Sequence, residues 1–497
     1  MALYKNQSKL TASLISILLI LIFFSCRKED DIDGDPSVKL SFSTDSIVFD
    51  TIFTTVGSVT QYLKVYNNHD KRIKISSIFL GTGPSSFYRI NVDGTPSTQL
   101  SNVEIAADDS LFVFIRVTLD PNSDLTPFVV TDQIIFETNT NIQDIDLLAW
   151  GQNAYYHIAD TKVPGLPKYK IVARTDSTVT WNNDKPHLVY GYAVVDSLGS
   201  LTIQEGTSIH FHNASGLWIY RYGHLNVDGT RQNPVTFQGD RLESYFRDIP
   251  GQWDRIWINE GNTDNRINYA VIRNGFIGLQ TETLNLNNPV DGHVLLTNTK
   301  IENMTGVGIL SRFYRITGIN NLVDQCGQYG LALTWGGQYD FRQCTFANYW
   351  TESIRQTENL ALTNYFEDAG GNVIVFEMDA YFGNCINYGA LQEEMIFDKN
   401  NSAPFLYQFE NCLLRTQQDI SDPSLYPGSF RNQDPRFVNT QKFDFHPDTL
   451  SPVIGAGSQN VINSSAYPFI ISIDLDGNSR VIPDIGAYQY TGIATRK

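Results

Sequence analysis

Basic residues are scarce in this chain: 36 Lys and Arg stand against 53 Asp and Glu in 497 residues, a formal net charge of −17. No Lys/Arg run of five or more offsets the deficit. Phosphate backbones are therefore repelled, and nucleic acid is not an expected partner. Cysteine is also rare, five in all, which excludes a small scaffold stapled by disulfides. The hydrophobic run at residues 14–24, 11 residues long, falls short of the roughly 20 needed to span a bilayer. What is present in quantity is apolar and aromatic surface, 42% and 12% of residues. That is ample for a large core, spread by length over about three units of about 150 residues.

The first residues place a cationic start, Lys5 and Lys9, before that run, and Ser25 then precedes Cys26. The pattern is that of a signal peptide, and Ser25-Cys26 resembles the lipobox of bacterial lipoproteins. The resemblance implies residues 1–25 as a removed leader and Cys26 as the lipid attachment site. Arg27-Lys28-Glu29-Asp30-Asp31 within an acidic tether, 26–36, is similar to the surface-export signal of Bacteroidetes lipoproteins. Six Asp-Ser/Thr triplets, beginning at Asp45, Asp50, Asp109, Asp176, Asp196 and Asp448, resemble O-glycosylation sites of that phylum. The expected location is the outer membrane, lipid-anchored and facing outward.

Residues 37–154 alternate apolar and polar positions, as in Leu111, Val113, Ile115, Val117 and Leu119, or Ile145, Leu147 and Ala149. Period two describes strands with one buried face. About seven such runs between turn residues predict a β-sandwich of immunoglobulin type. Phe49-Asp50-Thr51, Val65-Tyr66-Asn67-Asn68 and Leu148-Ala149-Trp150-Gly151 resemble the ASH/Hydin-like group of these folds. Residues 155–185, with Pro164-Gly165-Leu166-Pro167, read as a linker.

From residue 186 to 490 a repeat emerges. Asn268, Asn298, Asn320, Gln343, Asn364, Asn384 and Asn411 recur at intervals of 20 to 30 residues, the length of one solenoid turn. Stacked turns would place these side chains about 4.8 Å apart, and an Asn at a tight bend tolerates the left-handed conformation. Cys344, Cys385 and Cys412 each follow a ladder position, so they are read as buried thiols, with a Cys385–Cys412 disulfide as the alternative. Gly251-Gln-Trp253, Asn268-Tyr-Ala-Val-Ile-Arg-Asn274-Gly275 and a closing segment, with Ser451-Pro452, Asp474-Leu-Asp476-Gly477 and Pro483-Asp484-Ile485-Gly486-Ala487-Tyr488, resemble the right-handed parallel β-helix superfamily of pectate lyases and polygalacturonases. The expected fold is thus all-β, a sandwich followed by a right-handed parallel β-helix.

Motifs for chemistry are sparser. Asn262-Thr263-Asp264 resembles the first polygalacturonase motif, but no Asp-Asp pair follows in the repeat region. A lyase base would be an Arg, since only Lys300 and Lys399 occur between residues 190 and 420. The arginines considered are Arg312, Arg315, Arg342 and Arg355. Glu377 and Asp379, two apart on one strand face, make a carboxylate pair and, with Arg355, the candidate catalytic set. Glu302, Asp324 and Asp368 follow ladder positions, and Glu302 and Asp324 should be neighbours in adjacent turns, where like charge raises one pKa. His210, His212 and His224 lack a third ligand at fixed spacing, so no metal site is expected. No cofactor is expected either, Ca2+ at the carboxylates being the open alternative. Tyr314, Trp335, Tyr339 and Trp350, with Arg312 and Arg315, form a candidate binding surface, because aromatic faces stack on sugars or anchor protein partners. The function expected is a non-catalytic surface lipoprotein that binds a polysaccharide or an outer-membrane protein assembly. The alternative is a lyase or glycoside hydrolase acting on an acidic polysaccharide.

Overall fold

A computed structural model describes residues 32–120, 128–287, 289 and 292–492, and Cys26 with the whole leader lies outside them. The described chain is nearly all β and divides into two units, 1–152 and 153–497. Among the described residues no helix is long and apolar enough to cross a membrane.

The first unit holds two five-stranded sheets. In one, Gln61–Tyr66, Ser110–Val117 and Tyr88–Val92 pair antiparallel. In the other, Asn141–Gln152 pairs antiparallel with Phe128–Thr138 and parallel with Ser46–Phe53. The alternation read from sequence sends Leu63, Val113 and Ile115 from one sheet, and Ile75, Phe136 and Ile145 from the other, into one core. Asn139 and Thr140, both at positive φ, form the two-residue turn whose twist suits a hairpin.

The second unit is built around a parallel sheet of 25 strands, from Tyr155–Ile158 to Phe430–Arg431. Most strands pair with those two or three further along the chain, so equivalent residues stack. Ile209, Phe237, Ile272, Ile301, Val323 and Phe346 are successive register partners, each no more than 1% exposed. Burying a side chain of this size contributes roughly 1.5–3 kcal/mol, and every stacked strand repeats the gain.

The segment 155–185 is not a linker. Tyr155–Ile158 pairs with His187–Val195, as does Tyr169–Ala173, and Thr178–Trp181 pairs with Ser200–Gln204. The Pro164–Pro167 stretch is a turn between the first two of these strands, and the second and third bury Ala173 and Trp181 in the main core, a contribution masked in sequence by their shortness.

The ladder needs two corrections. Asn298, Asn320, Gln343, Asn384 and Asn411 occupy a left-handed corner, φ 50–55°, and Asn320 Nδ2 donates to Asn298 Oδ1 at 3.1 Å. On the first turn of that corner it is Tyr269, φ 47°, that takes the bend, while Asn268 sits one residue earlier and accepts from Asn298 Nδ2 at 2.9 Å. Asn364 lies elsewhere, bonded to the backbone of Asn400. Gln343 and Asn384 are consecutive in the row, the Gln343 N–H donating to the Gly383 carbonyl. The chain between them detours through an added hairpin, Tyr365–Glu367 with Val373–Val375. The four described cysteines are buried thiols with no bridge between them, so the alternative disulfide is not formed.

The C-terminal segment lies along the side of the sheet. Leu475, Ala487 and Tyr488 cover Leu322 and Ala347, and Val453 and Ile485 cover Ile386 and Leu413. Apolar side chains that point outward from the strands thereby become interior.

Candidate functional site

Two strands of the second unit frame a concavity. Val307–Ile319 and Leu331–Arg342 run parallel, with an irregular register between Arg312 and Tyr314. There Phe313 and Trp335 adopt left-handed backbone, φ 46° and 65°, which is uncommon for large side chains and costs on the order of 1–3 kcal/mol each. A Cβ at Gly337 would meet the Tyr314 carbonyl oxygen at 2.4 Å, so glycine is required for the strands to close at the bend.

The bends throw both rings outward, where the added hairpin meets them. Phe313 stacks on Phe376, centroids 4.0 Å apart, and Trp335 on Phe366 at 4.1 Å. Below the first stack opens a cleft of about 600 Å³ lined by Phe313, Phe376, Arg315, Gln338, Glu377 and Asp379. Arg315, Gln338 and Asp379 are register partners on three consecutive strands, which sets Arg315 and Asp379 roughly 10 Å apart, two strand spacings. The cleft therefore offers an aromatic wall, separated charges and an amide within the dimensions of a few sugar rings.

A second pocket, about 280 Å³, adjoins it and shares Arg315. Its lining includes Asp264, His293, Thr317, Asp340 and Tyr467. Asp340 is held by Arg342, Nε to Oδ1 2.7 Å and Nη2 to Oδ2 3.1 Å.

No known protein family and no curated protein matches the chain. Solved structures that resemble it include the catalytic unit of a GH87 α-1,3-glucanase from Streptomyces thermodiastaticus, at 10% identity over 75% of this chain and 89% of that one, TM-score 0.25. An ASH/PapD-like domain of human CEP192 matches at 12% identity over 26% of this chain and 94% of that one, TM-score 0.17. A family 123 glycoside hydrolase from Clostridium perfringens matches at 8% over 24% of this chain, which spans 30% of that enzyme, TM-score 0.18. Likenesses this distant leave the site to be read from its own residues.

Of the residues singled out from sequence, Glu377, Asp379 and Arg315 converge on the cleft. Arg355 does not. It is buried with Glu394 in a bidentate pair, 2.7 and 2.5 Å, and also donates to the Thr357 and Asn348 carbonyls. Burial raises the Glu394 pKa while Arg355 opposes the rise; this is an internal brace. Three members of the aromatic surface are also interior. Tyr314 and Tyr339 are each 3% exposed, their hydroxyls donating to the Asn259 carbonyl and to Ser311, and Trp350 is buried with its Nε1 on Ser353. Trp335 stays half-buried under the Arg312 guanidinium, 5.0 Å from its ring centre, and Arg312 pairs with Glu282 at 3.1 Å.

Glu302 and Asp324 are register partners, as their spacing implied. His210 faces away from the core but is covered, its Nδ1 on the Gly239 carbonyl, and burial lowers its pKa to about 4. His212 pairs with Asp240 at 2.7 Å. Among the described residues no group of three His, Cys, Asp or Glu is gathered as for a metal ion, and Glu377 and Asp379 have no third acidic partner. Sequence reasoning missed Phe313, Phe376, Gln338 and His293. Phe313 and Phe376 are distant in sequence, and nothing in either neighbourhood announces the stack. His293 carried one available signal, alternation with Val294 and Leu296 at a strand start.

Proposed function

We propose that this protein is a lipid-anchored outer-membrane protein whose second unit winds as a right-handed parallel β-helix and binds a polysaccharide chain in the Phe313/Phe376 cleft. The first unit, read as an immunoglobulin-like sandwich, serves as a spacer from Cys26. The observation that carries the reading is the cleft: strained aromatic rings held outward beside Arg315, Gln338, Glu377 and Asp379. Sugar faces stack on such rings while their hydroxyls bond to carboxylates, amides and guanidinium groups. The test is binding to a glycan panel by calorimetry. Phe376→Ala should weaken the best ligand about tenfold, a loss of roughly 1.4 kcal/mol, with the circular dichroism spectrum unchanged. Equal affinity in the variant moves the site elsewhere.

A second reading, a polysaccharide hydrolase or lyase, is favoured by one observation, the Glu377 and Asp379 carboxylates facing the same cleft. New reducing ends or unsaturated products that vanish in Glu377→Gln would establish it.

A further inference from the structure

The pocket beside the cleft is lined by an acid, an imidazole and a hydroxyl in a row. Asp264 directly precedes the strand Asn265–Asn268, and His293 opens the strand His293–Thr297. Since Asn265 and Val294 are register partners, the preceding residues, Asp264 and His293, flank the same level. His293 is in turn the partner of Arg315, and Thr317 lies two residues beyond Arg315 on the same strand face. The His293 Nε2 is 3.1 Å from Thr317 Oγ1, and its Nδ1 is 3.1 Å from Asp264 Oδ2.

The order of groups favours one tautomer. A carboxylate beside Nδ1 favours the tautomer with hydrogen there, which leaves Nε2 as acceptor for the Thr317 hydroxyl. The His293 side chain is only 7% exposed, whereas Asp264 is 62% exposed. The Asp264 oxygen sits off the N–H axis, where it makes no aligned hydrogen bond; such contacts commonly tighten when substrate excludes water. Asp264 also faces His224, whose Nδ1 meets Ser200 Oγ at 3.0 Å. Asp340 is tied to Arg342, and Arg315 brings positive charge to the wall shared with the cleft.

We propose that Thr317, His293 and Asp264 form a nucleophilic relay that hydrolyses a short acyl ester, the acyl group entering this pocket while the sugar bearing it lies in the cleft. The second clause rests on the cleft's binding a glycan; the relay itself does not. Thr317 Oγ1 attacks the ester carbonyl carbon as His293 Nε2 takes its proton, and negative charge develops on the carbonyl oxygen next to Arg315. Collapse breaks the carbon–oxygen bond to the sugar, whose alkoxide takes the proton back from His293. Water, deprotonated by His293, then attacks the acyl-threonine; the bond between the acyl carbon and Thr317 Oγ1 breaks, Oγ1 takes the proton from His293, and the carboxylic acid leaves. Asp264 is a positioning residue, holding the imidazole tautomer and stabilising its charged form. The 280 Å³ volume suits an acetyl-sized group and the oxygen that carries it.

The experiment uses the purified full chain with 4-nitrophenyl acetate and with acetylated xylan, following nitrophenolate and acetate. A fluorophosphonate reagent, which phosphonylates activated hydroxyls, is applied in parallel and its adduct mapped by mass spectrometry. Turnover should fall at least about 100-fold in Thr317→Val and His293→Gln, persist in Thr317→Ser and fall less in Asp264→Asn, with the adduct on Thr317 of the wild-type chain. Wild-type rates equal to buffer with no adduct, or unchanged turnover in Thr317→Val, would overturn the relay. Because the adduct is read on the wild-type protein, a variant that fails to fold leaves the proposal open to refutation. Glycan binding by the wild type without ester turnover rejects the relay and keeps the cleft. Thr317-dependent turnover of 4-nitrophenyl acetate without glycan binding keeps the relay and rejects the cleft.

Discussion

Asp324 is 1% exposed and neither carboxylate oxygen has a hydrogen-bond partner. Burial, together with Glu302 one strand away, pushes its pKa well up, against the opposing charges of Lys300 and Arg273. The unfolded chain releases this proton in the ordinary carboxylate range, while the folded chain holds it to higher pH. The native state therefore binds more protons between those limits, and stability declines as pH rises through them. Asp324→Asn removes that decline, so its guanidinium midpoint should gain on the wild type as pH rises above the ordinary carboxylate range. Parallel curves would show the carboxyl to be compensated. The neighbourhood of Asp324 and Glu302 was legible from spacing alone, because strands that pair in parallel at a regular interval bring residues one interval apart side by side. Arg355 was not: an arginine in a catalytic groove and one bracing a buried Glu394 look alike until the loop between them is placed.

At the level of strands, the same periodicity explains both the success of the reading and its errors. The recurrence of Asn298, Asn320, Gln343, Asn384 and Asn411 survives because each bend needs a left-handed residue. Asn364 satisfied the interval by coincidence, standing just ahead of the inserted hairpin, residues 365–375, and that hairpin is what supplies Phe366 and precedes Phe376. Interior glycine has an equally local cause. A Cβ at Gly318 would sit 2.3 Å from the Phe341 ring, and Phe341, Phe382 and Phe409 stack along the core at 5.6 and 4.7 Å. Gly318→Ala should destabilise the protein by about 1–3 kcal/mol through overpacking, measured as a lower midpoint with an unchanged denaturant slope. A neutral result would mean that Phe341 has room to move.

Across the molecule, charge narrows the choice of ligand. The chain carries −17 overall, and the cleft sets two carboxylates against one guanidinium. Neutral glycans should bind better than uronic-acid polymers of the same length, and added salt should strengthen whatever acidic binding exists by screening repulsion. Affinity for an acidic glycan that falls with salt would contradict this. The acidic substrate expected of an enzymatic alternative rested on a resemblance of sequence motifs to pectate lyases and polygalacturonases, which fixes neither charge nor specificity. Each unit has its own core, residues 38–149 in one and 173–426 in the other, so composition and alternation were sufficient to separate them. The cleft was less legible, since its walls come from strands and a hairpin that only the folded chain brings together.

Three of the sulfur atoms lie on successive levels of that core, with Cys385 N–H directed at Cys412 Sγ, 3.4 Å away, and Cys344 beside them. Sealed from reagents, they amount to an internal clock. Alkylation by iodoacetamide should proceed only as fast as the chain opens, making mass increments a direct gauge of how long the native state persists. In an oxidising environment the same burial keeps these groups from mispairing, so a brief loss of structure, and not exposure to oxidant as such, would decide when the protein is irreversibly damaged.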